Sequence, residues 1–159
     1  MKALVVYDSV FGNTEKIALA IGNALGSGES VKTLRVSDVK PEDLHGLSLL
    51  IVGSPTRAFK PTKPITDFLN QIPASGLKGI HVAAYDTRIS VADVSSRFLN
   101  VMVRLFGYAA QPIAARLEKK GGVRVIPPEG FFVKDTEGPL KDGELKRAAD
   151  WAKLAMKAQ

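Results

Sequence analysis

A cluster of hydroxyl, amide and glycine residues directly follows the first apolar run of the chain. The apolar run covers residues 3–7, and the segment after it reads Asp8-Ser9-Val10-Phe11-Gly12-Asn13-Thr14. Ser9 and Thr14 can donate hydroxyl hydrogen bonds, and backbone N–H groups at the start of a helix carry partial positive charge. Together these groups can bind a phosphate. A plain strand-to-helix turn also favours glycine and a polar cap, so the segment alone leaves both interpretations open.

Several other chemistries lack the residues that they need. The chain has no cysteine, which excludes disulfides, zinc–thiolate sites, cysteine-ligated iron–sulfur clusters and cysteine nucleophiles. His45 and His81 are its only histidines, so we expect no metal site. The patterns G-x-G-x-x-G and G-x-x-x-x-G-K-S/T are absent, which disfavours NAD and nucleoside triphosphates. A small ligand with a single phosphate fits the polar segment best.

The charge and hydropathy of the chain set further limits. It has 22 Lys and Arg against 16 Asp and Glu, a formal net charge of +6, with no dense basic block, so we expect no nucleic-acid partner. No apolar run approaches the ~18 residues of a membrane-spanning helix, and the first apolar run is too short for a signal peptide. The sequence thus predicts a cytoplasmic protein without a membrane partner. Its 159 residues predict one domain over residues 1–159.

Short apolar runs alternate with segments of helical periodicity along the whole chain. Helices are predicted at 14–25 and 64–72, from Ser90 onward, and after a cap at Asp142. The helix from Ser90 would bury Val91, Val94, Phe98, Val101 and Leu105. The last helix would bury Leu145, Ala148, Ala149, Ala152 and Ala155. Strands are predicted at 3–7, 31–36, 47–52, 80–85, 111–116 and 131–133. The alternation is typical of βαβ units and predicts a three-layer α/β domain with a parallel sheet covered on both faces.

The segment around the first turn resembles the signature of the flavodoxin family. That signature combines aliphatic, aromatic, hydroxyl and small residues at fixed spacing, and it is matched by Val5, Val6, Tyr7, Ser9, Gly12, Thr14, Ala18 and Ile21. Residues 53–59 after the third strand look like the second flavin loop of the family, and residues 84–88 look like the third. Residues 131–138 and the last helix resemble its closing strand and helix. The resemblance therefore covers essentially the whole chain.

The resemblance implies a flavodoxin-like three-layer sandwich with a five-stranded parallel sheet in the order 2-1-3-4-5, and bound FMN. Ser9, Gly12, Asn13 and Thr14 would hold the phosphate together with neighbouring backbone. Ser54 and Thr56 would lie near the ribityl chain, and residues 57–59 and 86–89 would flank the flavin ring. The expected cofactor-binding residues are Ser9, Val10, Phe11, Gly12, Asn13, Thr14, Ser54, Pro55, Thr56, Arg57, Ala58, Phe59, Tyr85, Asp86, Thr87 and Arg88.

The chain also departs from the usual pattern of that family. Many flavodoxins place an aromatic side chain in each ring loop, whereas here the third loop has none beyond Tyr85, which either stacks on the ring or packs locally. Phe11 stands where a hydroxyl residue is often found, and the chain is basic where many members are acidic. Its ring loops contain Arg57, Lys60, Lys63 and Arg88 against Asp86. This balance predicts a less negative flavin potential than in an acidic flavodoxin.

These observations favour an electron carrier whose chemistry resides in FMN, so no side chain is expected to be catalytic. The protein would be a monomer that passes single electrons between redox partner proteins. An FMN-dependent NAD(P)H:quinone-type reductase is the alternative, and a ligand-free interaction module is another. A phospho-acceptor domain of the same topology is excluded, because it needs an acid pair after strand one and an aspartate ending strand three. Here Asp8 stands alone and strand three ends at Val52-Gly53.

Overall fold

The computed structural model describes residues 1–90, 97, 101 and 107–159. Within these residues the strands are β1 (Ala3–Tyr7), β2 (Val31–Arg35), β3 (Leu49–Pro55), β4 (His81–Ile89), β5 (Val123–Arg124) and β6 (Glu129–Val133). The helices are α1 (Asn13–Leu25), α2 (Lys63–Gln71), α3 (Ala110–Lys119) and α4 (Glu144–Lys157). The helix predicted from Ser90 lies outside the described residues, apart from Arg97 and Val101. Both are helical and exposed, whereas Val101 was expected to be buried.

The strands form one parallel sheet in the order β2-β1-β3-β4-β5. This confirms the predicted order, with one addition. The position beyond β4 is filled by two segments in succession: β5 pairs with the start of β4, and β6 pairs with residues 85–89 at its end. Because all strands run in the same direction, their carboxyl ends meet at one edge of the sheet, where ligands of open α/β sheets bind.

Helices cover both faces of the sheet, and each face has its own apolar cluster. Ile17 and Ile21 of α1 pack with Trp151 of α4 on one face, and Ile65 of α2 packs with Ile113 of α3 on the other. Strand side chains alternate between the two clusters because successive residues point to opposite faces. The periodicity of these two segments predicts inner faces at residues 17, 21, 24 and 25 and at residues 65, 68, 69 and 72. Burial is confirmed at Ile17, Ile21, Leu25, Ile65, Leu69 and Ile72, whereas Ala24 and Phe68 are half-buried.

The strand predicted at residues 111–116 is wrong, because these residues belong to α3. The buried side chains of the helix are Ala110, Ile113, Ala114 and Leu117, which follow the i, i+3, i+4, i+7 spacing of one helical face. A six-residue window is too short to reveal that period. Pro112 is tolerated because it lies in the first turn, where its missing N–H breaks no helical hydrogen bond.

β3 and β4 are both longer than the apolar runs that predicted them. β3 continues to Pro55 and β4 to Ile89, so polar residues expected in loops lie in strands. The reason is pairing: residues 53–55 pair with residues 85–87, and residues 85–89 pair again with β6. The partner strands satisfy the backbone hydrogen-bonding groups of these polar residues. Local hydropathy does not indicate this pairing.

The last helix begins later than predicted, and the set of residues on its buried face differs in part from the prediction. Its N-cap is Gly143, with φ 83° in the left-handed region that favours glycine. Asp142 is fully exposed and does not cap the helix. Ala148, Ala152 and Ala155 are buried as predicted, while Leu145 is exposed and Ala149 half-buried. Trp151 completes the inner face and forms edge-to-face contacts with Tyr85 and Phe131.

Candidate functional site

A cavity of about 320 Å³ opens at the carboxyl ends of the strands. Its size lies in the ~300–1,000 Å³ range of small-molecule sites. Four segments of the chain line it, each following or ending a strand: the segment after β1, the end of β3 with its loop, the end of β4, and the end of β6 with its loop. The lining residues are Ser9, Val10, Phe11, Asn13, Thr14, Pro55, Thr56, Arg57, Ala58, Thr87, Arg88, Ile89, Val133 and Thr136.

The segment between β1 and α1 is a tight turn organised by the Ser9 hydroxyl. Gly12, with φ 91°, forms the N-cap of α1. The Gly12 N–H donates to Ser9 Oγ at 3.1 Å, and the Glu15 N–H donates to the same atom at 3.4 Å. Since Ser9 Oγ accepts from the protein, its own O–H hydrogen remains as a donor toward the cavity.

Backbone donors at the start of α1 complete this side of the cavity. In the described part of the chain, the N–H groups of Val10, Phe11, Asn13 and Thr14 have no hydrogen-bond acceptor. The first N–H groups of a helix have no partner within the helix and carry its positive dipole end. The donor set of this turn is therefore suited to an anion.

Two buried hydroxyls join the floor of the cavity. Thr14 Oγ1 and Thr87 Oγ1 lie 2.8 Å apart, and either can be the donor. Each hydroxyl carries one hydrogen, so one hydrogen is used between them and the other remains free to donate. The Tyr85 hydroxyl donates to the Thr14 carbonyl at 3.2 Å and anchors this turn from below.

Arg35 supports the same turn from β2. Its guanidinium donates to the Ser9 carbonyl at 3.0 Å and forms ion pairs with Glu15 at 3.0 Å and Asp8 at 3.4 Å. Sequence reasoning missed this residue, because only the register of the sheet, which pairs Tyr7 with Arg35, brings it there.

The loop after β3 forms a tight two-residue turn beside the cavity. Arg57 and Lys60 exchange backbone hydrogen bonds of 2.8 and 2.9 Å, and between them Ala58 and Phe59 have φ of 47° and 68°. Positive φ at both central positions is the type I′ geometry, which usually requires glycine or asparagine. The Arg57 guanidinium lies 5.6 Å from the centre of the Phe11 ring.

A charged cluster lies at the end of β4. Arg88 donates to both carboxylate oxygens of buried Asp86, at 2.6 and 2.7 Å, and the Ala110 N–H adds a third bond at 2.8 Å. Burial raises the pKa of the Asp86 carboxyl, while the bonds from Arg88 and Ala110 oppose this rise. Arg88 also stacks on Tyr108, 3.7 Å from its ring centre. Arg88 is thereby held in one position at the cavity.

Residues 134–139, which we call the strap loop, reach the cavity from the far side. Asn13 Nδ2 donates to the Glu137 carbonyl at 3.1 Å, and the Lys134 N–H donates to the Pro139 carbonyl at 2.8 Å. Gly138 has φ 101°, and a Cβ there would stand 2.6 Å from Asn13 Nδ2, so glycine permits the close approach. The Asn13 amide therefore holds the strap loop.

Most of the expected cofactor-binding residues lie together at the cavity. Eleven of them line it: Ser9, Val10, Phe11, Asn13, Thr14, Pro55, Thr56, Arg57, Ala58, Thr87 and Arg88. Gly12, Ser54, Phe59, Tyr85 and Asp86 are not among the lining residues. The Ser54 hydroxyl instead bonds to the Pro55 carbonyl and accepts from the Thr62 N–H. Ile89, expected beside the flavin ring with residues 86–88, also lines the cavity. Sequence reasoning missed Val133 and Thr136 because it did not place the strap loop.

Tyr85 packs locally in the core, which is one of the two roles that the sequence left open, so its expected place among the cofactor-binding residues is corrected. The side chain is fully buried, and its ring contacts Phe131 and Trp151 at centroid distances of 5.9 and 6.3 Å. Gly53 is its register partner on β3, and a Cβ at Gly53 would overlap the tyrosine ring. A glycine inside an apolar strand is the sequence signal for such a close approach.

Comparisons with known proteins agree with this architecture. The sequence profile of the flavodoxin family matches residues 5–151. A flavodoxin from the domain Archaea is 27% identical with a TM-score of 0.74, and the match covers 99% of each chain. Flavodoxin 1 from Bacillus cereus shares the fold at 17% identity and a TM-score of 0.76, over 99% of this chain and 98% of that one. A comparison with curated proteins found no match.

The same fold also occurs as part of a larger enzyme. The match to rubredoxin oxygen:oxidoreductase from Desulfovibrio gigas has 18% identity and a TM-score of 0.71, and it covers 99% of this chain but 36% of that one. Among the described residues of the present chain, no helix has the length and hydropathy needed to cross a membrane.

The fold, the cavity at the switch of strand order and the matched profile together define a class of protein. The chain belongs to the flavodoxin family, whose members are FMN-binding electron-transfer flavoproteins. The residues present fit this cofactor. N–H groups without an acceptor among the described residues and hydroxyls at the start of α1 suit a phosphate, and the rest of the cavity is lined by apolar, threonine and arginine side chains.

Proposed function

We propose that this protein is a one-electron carrier that uses FMN to connect redox partner proteins. The observation that supports the proposal is the turn before α1, whose donors suit an anion, beside a cavity lined by four chain segments. When bound, FMN supplies the electron-transfer chemistry. The protein binds and orients the cofactor and sets the charge around it. No side chain has to move a proton or form a covalent bond.

Residue roles follow from the position of each group. Ser9, Thr14 and the free N–H groups of the turn would hold the phosphate, as charge-assisted donors to an anion are the stronger kind of hydrogen bond. Thr87 would orient the Thr14 hydroxyl. Arg57 and Arg88 would lie on two sides of the flavin ring. Gly12 and Ser54 would act indirectly, by shaping the backbone. The monomeric state, the cytoplasmic location and the redox partners remain predictions from the sequence.

The test separates the carrier from the reductase alternative. The purified protein is titrated with FMN and followed by flavin absorbance, and NADH and NADPH oxidation are then measured with this protein alone. We expect one FMN per chain, no steady-state NAD(P)H oxidation, and reoxidation of the dithionite-reduced protein by ferricyanide. Rapid NAD(P)H oxidation would favour the reductase, and failure to bind FMN would favour a ligand-free module.

A further inference from the structure

We propose that the mouth of the cavity is a docking surface for an acidic redox protein, and that Arg57 and Lys60 establish this preference. The partner is a protein whose own docking face carries a cluster of carboxylates. The proposal rests on the carrier function above, because it concerns the protein with which the carrier exchanges electrons. We call the surface the basic patch and define it as Val10, Phe11, Arg57 and Lys60.

The basic patch has an apolar centre with charges beside it. Val10 and Phe11 are 50% and 44% exposed although both are large and apolar. Arg57 lies against the Phe11 ring, and Lys60 is joined to Arg57 through the backbone of the turn. An apolar centre with a polar rim is the usual arrangement of a protein–protein interface. Val10, Phe11 and Arg57 also line the cavity, so a protein docked here lies next to the cofactor site.

The two charges of the basic patch differ from neighbouring cations because neither has a carboxylate partner in the described part of the chain. Neighbouring cations have partners: Lys63 pairs with Asp67 at 2.6 Å, and Arg88 pairs with Asp86. No ion pair joins Arg57 or Lys60 to a carboxylate among the residues that the structure describes. Because Arg57 and Lys60 are both exposed, the patch presents two positive charges to solvent.

The turn also holds these two charges next to each other. Arg57 and Lys60 form an antiparallel bridge, and side chains directly opposite each other across such a bridge are neighbours, so like charges there are destabilising. The turn that creates the pair has two non-glycine residues at positive φ, a conformation that itself costs free energy. Carboxylates of a docked protein would relieve the repulsion, because they would lie between or beside the two cations.

The strap loop limits the orientation of such a partner. Asp135 and Glu137 of this loop are exposed, and its single cation, Lys134, lies 4.0 Å from the Asp142 carboxylate. The strap loop leads to α4, whereas the turn at residues 57–60 leads to α2, and these helices cover opposite faces of the sheet. An acidic surface is thus attracted on one side of the cavity and repelled on the other. This asymmetry would orient the partner and accelerate the encounter through electrostatic steering.

The first experiment measures binding rather than activity. A hexa-aspartate peptide is titrated into the FMN-loaded protein at low ionic strength, and amide shifts are followed by NMR. We expect shifts at Val10, Phe11 and residues 57–60, which disappear at high salt. Lys60→Glu should weaken peptide binding about tenfold or more. Lys60 does not line the cavity, so FMN content and fold should be unchanged, and FMN absorbance verifies this.

Lys78→Glu is the matched control for charge. Lys78 is exposed, has no ion pair with any described residue, and lies just before β4, at the amino ends of the strands. The nine residues of β4 separate it from the cavity by roughly 30 Å. The Lys78→Glu substitution changes the net charge of the protein by the same amount as Lys60→Glu, so the comparison isolates the effect of position. We expect peptide binding close to wild type.

The second experiment uses two oxidants of opposite charge. Reduced protein is mixed with ferricyanide or with hexaamminecobalt(III), and each oxidant takes one electron as the flavin loses one. We expect added salt to slow the reaction with ferricyanide and to accelerate the reaction with the cobalt complex. At low salt, Lys60→Glu should slow ferricyanide reduction by about 3- to 10-fold, and Lys78→Glu should leave it nearly unchanged.

The proposal is overturned if peptide shifts map elsewhere, if Lys60→Glu and Lys78→Glu have equal effects, or if salt affects both oxidants alike. Shifts at the patch that depend on protein concentration without peptide would assign it to self-association and would also overturn the proposal. Failure of the carrier function is a separate result, because it appears in FMN content and NAD(P)H oxidation, while the peptide map reports only on the surface.

Discussion

Thr14 is the residue at which the proposed phosphate contact can be tested most directly. Its hydroxyl is buried and bonds to Thr87 Oγ1 at 2.8 Å. Thr14→Ala should weaken FMN binding by about 1.5–3 kcal/mol, because it removes a hydrogen bond to a charged group. Riboflavin, which lacks the phosphate, should bind nearly as to wild type. Fluorescence titration with both ligands measures the difference.

Thr14→Ser is the control for this prediction, since it keeps the hydroxyl and should retain most of the FMN affinity. An equal loss of FMN and riboflavin affinity in Thr14→Ala would remove the phosphate role from this residue.

Arg57 and Arg88 should influence the flavin potential differently, although both carry a charge at the cavity. A unit charge ~8 Å from the ring at an effective dielectric constant of ~40 is worth on the order of 1 kcal/mol, or roughly 40 mV for one electron. Arg57→Gln should therefore lower the second one-electron potential by about that amount, because reduction adds negative charge to the cofactor. Potentiometric titration at low ionic strength provides the measurement.

Arg88→Gln should change the potential less. The charge of Arg88 is balanced by buried Asp86. Burial already raises the pKa of the Asp86 carboxyl. Without the arginine the carboxyl loses its main opposing interaction and tends to take up a proton, so the net charge of the pair stays near zero. The sequence alone predicts similar shifts for both arginines, since it shows neither the pairing nor the burial. Equal shifts in the two variants would show that Asp86 stays ionised.

At the scale of elements, the junction between β6 and α4 depends on one ionised carboxylate. Glu144 accepts from the Phe132 N–H at 2.7 Å and from Arg147 at 2.6 and 2.9 Å, and Arg147 also donates to the Gly130 carbonyl. Burial raises the pKa of Glu144, but the bonds from Arg147 and Phe132 outweigh burial and hold the pKa below its usual value of 4.5.

Glu144→Gln should lower the free energy of unfolding by about 1.5–3 kcal/mol at pH 7. Because the folded-state pKa is lowered, the unfolded protein binds more protons below pH 4.5, and the stabilisation is lost as the pH falls through the folded-state pKa. Wild type and variant should therefore converge at acid pH. Urea melts between pH 7 and pH 3 measure this, with exposed Glu29→Gln as the control. A constant difference at all pH values would contradict the assigned role.

The elements also show what the sequence could predict and what it could not. The periodicity at Ile17 and Ile21, or at Ile65 and Leu69, is strong because these helices bury one continuous face. Residues 111–116 show no helical period because the window is too short. The hydropathy pattern ends β4 early because the polar extension of this strand depends on pairing with β6, which lies far along the chain. The local sequence also gives no signal for three residues of the site. Strand register brings Arg35 to the site, and the path of the strap loop after β6 brings Val133 and Thr136 there.

At the scale of the whole molecule, the cofactor would join segments from most of the chain. Its cavity brings together residues from Ser9 to Thr136. A ligand that binds only the folded state stabilises it by about 2.7 kcal/mol at a hundredfold excess over its Kd. We expect FMN at this excess to raise the midpoint of thermal unfolding by roughly 5–10 °C, and riboflavin at the same concentration to raise it less. Calorimetry of the apoprotein with each ligand tests this, and identical shifts would contradict recognition of the phosphate.

The bond between Asn13 and the Glu137 carbonyl has a consequence for biosynthesis. It connects positions 124 residues apart, and a ribosome delivers the earlier one long before the later one. While the chain is being made, α1 and its anion-binding turn can form, but the wall that contains Val133 and Thr136 does not yet exist. Cofactor loading therefore follows translation. The newly made chain has to fold and persist as apoprotein, supported by its two apolar clusters and its own hydrogen bonds and ion pairs, until a flavin mononucleotide arrives.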